Sequence, residues 1–588
     1  MAEKWFIKNK KMNYKYMADK YGITELMSRL MVNRDILDDE VIRSYINPEF
    51  SMLHNPREMK DMNEASEILI RKIKSGKKIR IIGDYDVDGV ISVYILYSAL
   101  KRCNADVDYE IPDRIRDGYG VNVNIIDKAK EDNVDTILTC DNGISAIEPI
   151  KRAKELGMTV IVTDHHDIPF VEDEDGKRTF IRSEADAILN PKQKECKYKF
   201  KNLCGAGVAF KLIQVLYEEL DIEKEEALKF IEFLAIATVC DVVDLIDENR
   251  VFVKKGLEKI NKTTNIGLKE LLTECEIQDK KIGVYHLGFI IGPCINASGR
   301  LDNAKKGVRL LLSENGQEAV SLAKELVKLN EDRKEMTLNG VEDAIEIVEN
   351  SKIKNDKVFV IYLPHIHESL AGIIAGRIRE KYNVPTFILT KTENGAKGSG
   401  RSIEEYNMFE ELVKCKDVLD KFGGHPMAAG FSLKEENIDE FRKRLNENTT
   451  LSEEDLVKKV TIDTVLPLDT ITYELINDLG RLEPFGKANP KPLFGEKNIN
   501  VIKAVILGKN RNVLKLKLKS IKGKVIDAVY FGDIEEFEEN ITEKYGKEQL
   551  VKLYDGSYND VKLDFVFYPD INEYNGNITI QAVIQNYR

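Results

Sequence analysis

The sequence predicts a multidomain α/β protein made of a parallel-sheet domain, a helical connector, a second smaller α/β domain and a C-terminal β-barrel. Three observations carry that prediction. From Lys77 to Leu245, apolar β-branched runs alternate with stretches of helical period, the pattern of strands joined by crossover helices. A shorter unit with the same alternation begins at Lys357. Beyond residue 459 the period falls to two, as in Val513–Lys519 and Asp560–Phe567, and a series of such strands predicts a small barrel.

The elements follow in order. Residues 1–76 read as short helices and turns, with 14–22 and 64–73 the clearest amphipathic stretches. The first α/β domain, 77–250, holds expected strands at 78–83, 107–111, 134–140, 158–163 and 186–190, and helices at 90–102, 122–131, 145–156 and 206–220. Residues 251–355 form the connector, whose period-3.6 pattern from Ala319 continues almost to Glu349 and reads as a charged spacer helix. In the second domain, 356–452, strands at 358–362 and 386–389 flank a helix at 370–381, followed by a glycine-rich turn. The remainder, 453–588, is the barrel. No internal repeat or low-complexity tract interrupts this order.

Composition excludes several classes. No apolar run approaches the roughly 20 residues needed to span a bilayer. The basic N-terminus lacks the apolar stretch and cleavage site of a signal peptide, so a cytoplasmic location is expected. The eight cysteines never form a C-x-x-C pair, which argues against a zinc ribbon or a disulfide framework and for buried thiols. The net charge of −12 does not advertise a nucleic-acid surface, but carboxylates that hold metal ions inflate a negative count.

Four short acidic signals carry the chemistry. Asp84, Asp86 and Asp88 follow the first strand of the sheet domain, Asp141 the third, and Asp164-His165-His166 the fourth, while Asp241 follows a predicted helix. Ligands of such sheets bind outside the carboxyl ends of the strands, so the signals converge without special assumption. Asp86 and Asp88 are read as loop carboxylates, with Gly89 allowing a sharp turn into the next helix. Asp86, Asp88, Asp141, His165 and Asp241 make a mixed oxygen and nitrogen sphere for two divalent ions, Mn²⁺ fitting best and Mg²⁺ second. An isolated Asp-x-Asp-Gly is equally a calcium loop or a plain turn, although no glutamate stands where an EF-hand requires one. His166 is open to two roles, contacting substrate phosphate or supporting a ligand; Asp84 lies close by.

The motifs Asp84–Gly89, Asp141–Gly143, Asp164–His166 and Asp241 resemble the ordered motifs of the DHH phosphoesterase superfamily. Gly292–Leu301, Gly398–Ser402 and Gly423–Gly430 resemble its RecJ branch, the single-strand-specific 5′→3′ exonucleases. Leu482–Phe494 and Asn572–Gly576 with Gln581 are similar to the oligonucleotide-binding (OB) fold domain of that branch. The likeness runs from about residue 20 to the end.

The resemblance implies a DHH-type sheet domain and an OB-fold barrel. It also implies two-metal hydrolysis of a phosphodiester, with release of 5′-mononucleotides from single-stranded DNA in recombination and repair. It places Ser399, Arg401 and His425 on the terminal 5′-phosphate, with Arg300 reaching from the connector. Glycines and a forked guanidinium suit that task. Arg114 matches a family pattern for contact with the nucleotide backbone, or else is a solvated loop arginine.

On the barrel, Lys515, Lys517 and Lys519 share one strand face; they are read as a cationic track for DNA or as an ordinary solvent face. Tyr530, Phe531, Tyr554 and Tyr574 are available for stacking. Cys294, Ala488, Ile366 and Asp244 depart from the family pattern, Cys294 in place of an arginine. None is an expected metal ligand.

A helicase and a single-strand-binding protein are expected partners from the family alone, and a monomer is the expected state. Two other functions compete with this one. A DHH phosphodiesterase of short oligonucleotides or cyclic dinucleotides would lack the C-terminal barrel. A non-catalytic replication scaffold would have lost the acidic motifs, which are intact here.

Overall fold

The computed structural model describes residues 3–114, 118, 120–172, 178–508, 511–574 and 576–588, excepting the side chains of 172 and 574. It separates into two compact units, one of residues 53–243 and 252–458, the other of 3–52, 244–251 and 459–588.

The first unit is built on a five-stranded parallel sheet. Its strands are β1 (Ile79–Ile82), β2 (Val107–Glu110), β3 (Thr136–Cys140), β4 (Thr159–Thr163) and β5 (Ala187–Leu189), in the order β2-β1-β3-β4-β5. All of β1 and β3 is buried, which is why these strands read as unbroken apolar runs and do not alternate. Helices α1 (Val87–Arg102), α2 (Val123–Glu131) and α3 (Ile147–Glu155) cross between strands, and α4 (Gly205–Glu219) and α5 (Ile231–Cys240) follow the sheet. The chain leaves β1 toward β2 on one side and returns to β3 on the other. The strand order therefore reverses between β1 and β3, where such sheets bind their ligands.

Each element expected between 78 and 220 is present, with one addition: a hairpin of Phe170–Glu172 and Arg178–Phe180. One expectation needs correction. Helix α1 begins at Val87, so Asp86 is its N-cap and Asp88 lies in its first turn. Gly89 is thus helical; a Cβ there would meet the Asp84 backbone oxygen at 2.4 Å, so it serves close packing and not a sharp turn.

In the connector, α6 (Gly292–Leu301) is followed by the 34-residue α7 (Gly316–Glu349). This long helix is packed at both ends and is not a free spacer. Ala319, Leu322, Ala323 and Leu326 are buried along its first half, while Ala344 and Val348 join the core of the next sheet. That sheet comprises β6 (Phe359–Tyr362), β7 (Thr386–Thr392), β8 (Gly395–Arg401), β9 (Lys421–His425) and β10 (Ala428–Leu433), in the order β9-β10-β8-β7-β6, with α8 (Ala371–Tyr382) against it.

The expected glycine-rich turn is a second correction. Gly398 and Gly400 lie in β8, inside the sheet. A Cβ at Gly398 would strike Phe431 at 2.2 Å, and one at Gly400 would strike Met408 Sδ at 2.3 Å. These glycines make room for a core, and their backbone groups belong to ladders on both sides.

In the second unit, β11 (Phe494–Leu507), β12 (Val513–Lys519), β13 (Val525–Tyr530), β14 (Lys562–Tyr574) and β15 (Asn577–Tyr587) close into a barrel through the pairing of β11 with β14. Leu514, Leu516 and Leu518 are buried inside it. N-terminal residues complete this unit: Lys4–Ile7 pairs with Lys459–Ile462, and Met27, Leu30 and Ile42 join the core that holds the barrel leucines. Arg250 is also buried here, donating to the carbonyls of Tyr45, Leu482, Arg481 and Glu483. Among the described residues, no helix is long and apolar enough to cross a membrane.

Candidate metal centre

The sheet brings Asp84, Asp86, Asp88, Asp141, His165, His166 and Asp241 together, although they span more than 150 residues of sequence. Within the group, three overlapping sets place their ligand atoms within 4.8 Å of one another: Asp84, Asp86 and Asp141; Asp88, His165 and Asp241; and Asp141, His165 and His166. Asp141 and His165 each belong to two sets, so the three sets form one continuous cluster.

Each residue is aimed by local structure. Asp86 caps α1, its Oδ1 accepting from the Gly89 amide at 3.1 Å, as N-cap carboxylates do. Asp88 accepts from the Gly205 and Ala206 amides at 2.5 and 2.9 Å, at the start of α4, where the helix dipole favours negative charge. Asp141 follows β3 with a φ of +59°, a conformation that aspartate tolerates better than most residues. Gly205 lies against it, since a Cβ there would come within 2.6 Å of Asp141 Cβ. Asp241 is the C-cap of α5.

Asp164 is a support and not a ligand. It accepts from the amides of Ile144, His165 and His166 and lies 2.7 Å from His166 Nδ1. That anchor orients the tandem histidines; the sequence motif contained it, but its role shows only when its partners are in place. Asn296 of α6 is a further support missed from sequence, accepting from the Val87 amide at 3.1 Å.

Electrostatics fit a bound cation. Burial first, and then neighbouring carboxylates, push Asp84, Asp141 and Asp241 well above the usual carboxylate range. Burial also raises Asp88 and lowers His165, which leaves the imidazole neutral. Burial works against the charge of His166, but the Asp164 hydrogen bond and surrounding carboxylates prevail and raise it to about 9.

His165 Nε2 lies 3.0 Å from Asp141 Oδ1. Yet His165 Nε2, Asp141 Oδ1 and Asp241 Oδ2 are all buried without a hydrogen-bond partner. Orphaned buried polar atoms are rare and need a partner, and carboxylate and imidazole donors match hard or borderline divalent ions. The residues therefore fit such ions.

The expected phosphate-binding residues lie on α6, β8 and β9 and, for Arg114, after β2. Arg300, in α6, donates to the Ser369 carbonyl at 2.8 Å; burial, then Arg114 and Arg333, depress it to about 10. Arg114 lies 5.0 Å from the Tyr85 ring centroid. Ile115, Arg116, Asp117 and Tyr119, from the same sequence stretch, lie outside the described residues.

Ser399 and Arg401 share the face of β8 opposite the buried glycines. Arg401 donates to the Gly400 carbonyl at 2.8 Å, and a Cβ at Gly372 would sit 2.8 Å from its Nη2. Among the described residues no carboxylate pairs with Arg401, and burial lowers its pKa. Gly372 is thus a contributor that sequence reading missed. His425 is exposed on β9, with Nδ1 3.9 Å from Asp167 Oδ2 beside the tandem histidines.

On the barrel, Lys517 and Lys519 are exposed, whereas Lys515 pairs with Asp527 at 2.7 Å. Phe531 is exposed, but Tyr530 and Tyr554 are partly buried against the barrel core, Tyr530 edge-on to Tyr587, so neither ring is open for stacking. The Tyr574 side chain lies outside the described residues.

Comparison with known proteins places this geometry. Family models match in order: the DHH family N-terminal domain over 78–238, the DHHA1 domain over 355–450 and the RecJ OB domain over 462–586. The single-stranded-DNA-specific exonuclease RecJ of Bacillus subtilis is 38% identical over 89% of this chain, which spans 65% of that relative's length. The protein of the same name from Salmonella typhimurium is 32% identical over 81% of this chain and 84% of its own.

The structure of RecJ from Thermus thermophilus in complex with Mn²⁺ superposes with a TM-score of 0.81 at 25% identity, covering 100% of this chain and 79% of that one. The structure of an exonuclease RecJ bound to manganese is 31% identical over 69% of this chain, with a TM-score of 0.58. Given three domain models in register and a relative matched over most of both chains, the protein belongs to the RecJ family.

Proposed function

We propose that this protein is a metal-dependent 5′→3′ exonuclease specific for single-stranded DNA, releasing 5′-mononucleotides in recombination and repair. The observation that carries this reading is the intact centre, where buried ligand atoms of Asp141, His165 and Asp241 converge without partners. A non-catalytic scaffold has no use for them. The barrel at 494–587 favours a polynucleotide over a cyclic dinucleotide.

In this reading Asp86, Asp88, Asp141, His165 and Asp241 hold two Mn²⁺ or Mg²⁺ ions, the ions named for the Thermus structures. Such ions supply an activated water and neutralise charge on the phosphodiester. The chain's own residues do the rest. The α4 amides aim Asp88 and favour its ionised form against the effect of burial. Asp84 supports the cluster from beside Asp86. His166, held cationic by Asp164, donates to a phosphate oxygen.

Arg300, Ser399, Arg401 and His425 grip the terminal 5′-phosphate, and Arg114 the backbone. Depressed guanidinium pKa values at Arg300 and Arg401 show what burial costs two cations, a cost that an anion would offset. Lys515, Lys517 and Lys519 carry the strand on the barrel.

The domain division at 76, 250, 355 and 452 assigns catalysis to the second segment, end recognition to the fourth and strand binding to the fifth. The protein acts in the cytoplasm as a monomer in this reading, and the family resemblance alone supports a helicase and a single-strand-binding protein as partners.

Digestion of 5′-labelled and 3′-labelled strands side by side, with Mn²⁺, tests the function. Mononucleotides from the 5′ end and intact blunt duplex are expected. Release from the 3′ end, or release without metal, would refute it.

A further inference from the structure

Tyr285 and Phe289 stack on each other in solvent. Their ring centroids are 5.2 Å apart with planes 24° from parallel, and the residues are 64% and 68% exposed. Aromatic side chains normally contribute by burying their large surfaces, so a preformed stack left open calls for an occupant.

The segment that presents the stack is distorted for an identifiable reason. Residues Val284–His286 lead into a π-helical turn, Leu287–Ile291, just before α6. Pro293 has no N–H to donate into the ordinary helical ladder, and the Gly292 amide reaches back to the Leu287 carbonyl. That carbonyl also accepts from Cys240 Sγ at 3.4 Å. Single π-turns of this kind are frequent at functional sites.

Location is the second observation. A Cβ at Gly288 would lie 3.4 Å from Val239 Cγ1, and one at Gly292 would lie 2.3 Å from Cys240 Sγ. The π-turn therefore rests on the last turn of α5, whose C-cap is Asp241. The aromatic pair stands on the element next to the metal centre, and Val242, following Asp241, is 60% exposed.

Charge is the third. Lys280 and Lys281 are exposed and precede the stack in the chain, and burial, then the charge of Lys280, lowers His286. The adjacent Asp279 is engaged by Gln278 Nε2 at 3.0 Å. Flat rings beside ammonium groups suit a single-stranded nucleic acid, whose bases stack irrespective of sequence while the phosphates meet the cations.

We propose that Tyr285 and Phe289 form a nucleobase-stacking platform that holds the single strand beside the metal centre. The proposal rests on the function proposed above and adds a subsite to it. A strand cut from one end must lie somewhere beyond the scissile bond, and a platform there acts only on substrates long enough to reach it.

The test compares a 5′-phosphorylated thymidine dinucleotide with a long 5′-phosphorylated oligo-dT, using the full-length protein and Mn²⁺. For Tyr285→Ala/Phe289→Ala, KM on the long strand should rise about tenfold or more, the scale of losing base–aromatic stacking. The kcat should stay within about twofold, and dinucleotide cleavage should be unchanged, because the ligand set is untouched. Tyr285→Phe should restore long-strand KM.

A binding arm uses fluorescence of 2-aminopurine placed along the oligo-dT, with EDTA present. Quenching at one position that disappears in the double variant supports the platform. An unchanged KM together with unchanged quenching overturns it, including in favour of a protein-docking role for the rings, and so does equal impairment on both substrate lengths. If the wild type cuts neither substrate, the proposed function fails, and the binding arm still decides the platform.

Discussion

Asp141 Oδ1 and His165 Nε2 lie 3.0 Å apart, both buried, and make no hydrogen bond to each other. Asp141 is also repelled by Asp88, Asp86, Asp84 and Asp241. Such a group is a liability to the metal-free protein. Asp141→Asn keeps the shape and suits the left-handed backbone, but removes one charge. We expect it to abolish metal-dependent cleavage while raising metal-free stability by about 0.5–2 kcal/mol, the usual exchange of stability for a strained site. Calorimetric melting in EDTA, alongside a cleavage assay, checks both signs.

The same repulsion predicts that metal stabilises the fold. A ligand that binds only the native state adds RT ln(1 + [L]/Kd), about 2.7 kcal/mol at a hundredfold excess over Kd. Mn²⁺ should therefore raise the melting temperature of the first unit in the wild type, and raise it much less in His165→Ala. An equal shift in both would show that the ions bind elsewhere.

Asp164 holds the tandem histidines through their two amides and the His166 ring, and also accepts from the Ile144 amide. Removing the support of a metal ligand typically costs about 10–100-fold in affinity or activity. Asp164→Ala should fall in that range for Mn²⁺ binding measured by titration calorimetry. It should also destabilise the protein, since buried amides lose their acceptor.

Gly372 leaves room for Arg401, whose Nη2 would lie 2.8 Å from a Cβ there. Gly372→Ala should displace the guanidinium and raise KM for 5′-phosphorylated strands. Strands with a 5′-hydroxyl should be much less affected, because they offer no phosphate to grip. Arg401→Lys should act in the same direction, as the planar fork is lost. Steady-state kinetics on the paired substrates distinguishes this from general damage.

In the second unit, Arg250 donates to four carbonyls and lies 3.9 Å from the Tyr45 ring centroid. Arg250→Met leaves those carbonyls without their donor and should cost about 2–4 kcal/mol, by the scale for unsatisfied buried groups. Chemical denaturation followed by proteolysis of residues 459–588 would register the loss.

Most of the architecture was legible in the chain. The runs that became β1, β3 and β4 are apolar because both faces of a parallel sheet are covered, and a covered strand cannot hide that in its sequence. The acidic signals were legible for a related reason. Asp84, Asp141 and Asp164 directly follow strands or nearly so, and a parallel sheet sends all its strand ends to one edge. The alternating leucines and lysines of Val513–Lys519 likewise announced one inward and one outward face.

What only the tertiary structure decided were relations between distant residues. That Gly398 and Gly400 serve Phe431 and Met408 follows from which strands flank β8, and glycine in a turn and glycine under an aromatic ring read alike. That Asp164 is a support while Asp141 Oδ1 is left without a hydrogen bond depends on which amides fold over each carboxylate. That Tyr530 is packed while Tyr285 stands open depends on what covers each ring. Residue type and local period fix which elements form and which way their faces point. Burial and the pairing of polar atoms are properties of the assembled neighbours, and no single stretch of chain carries them.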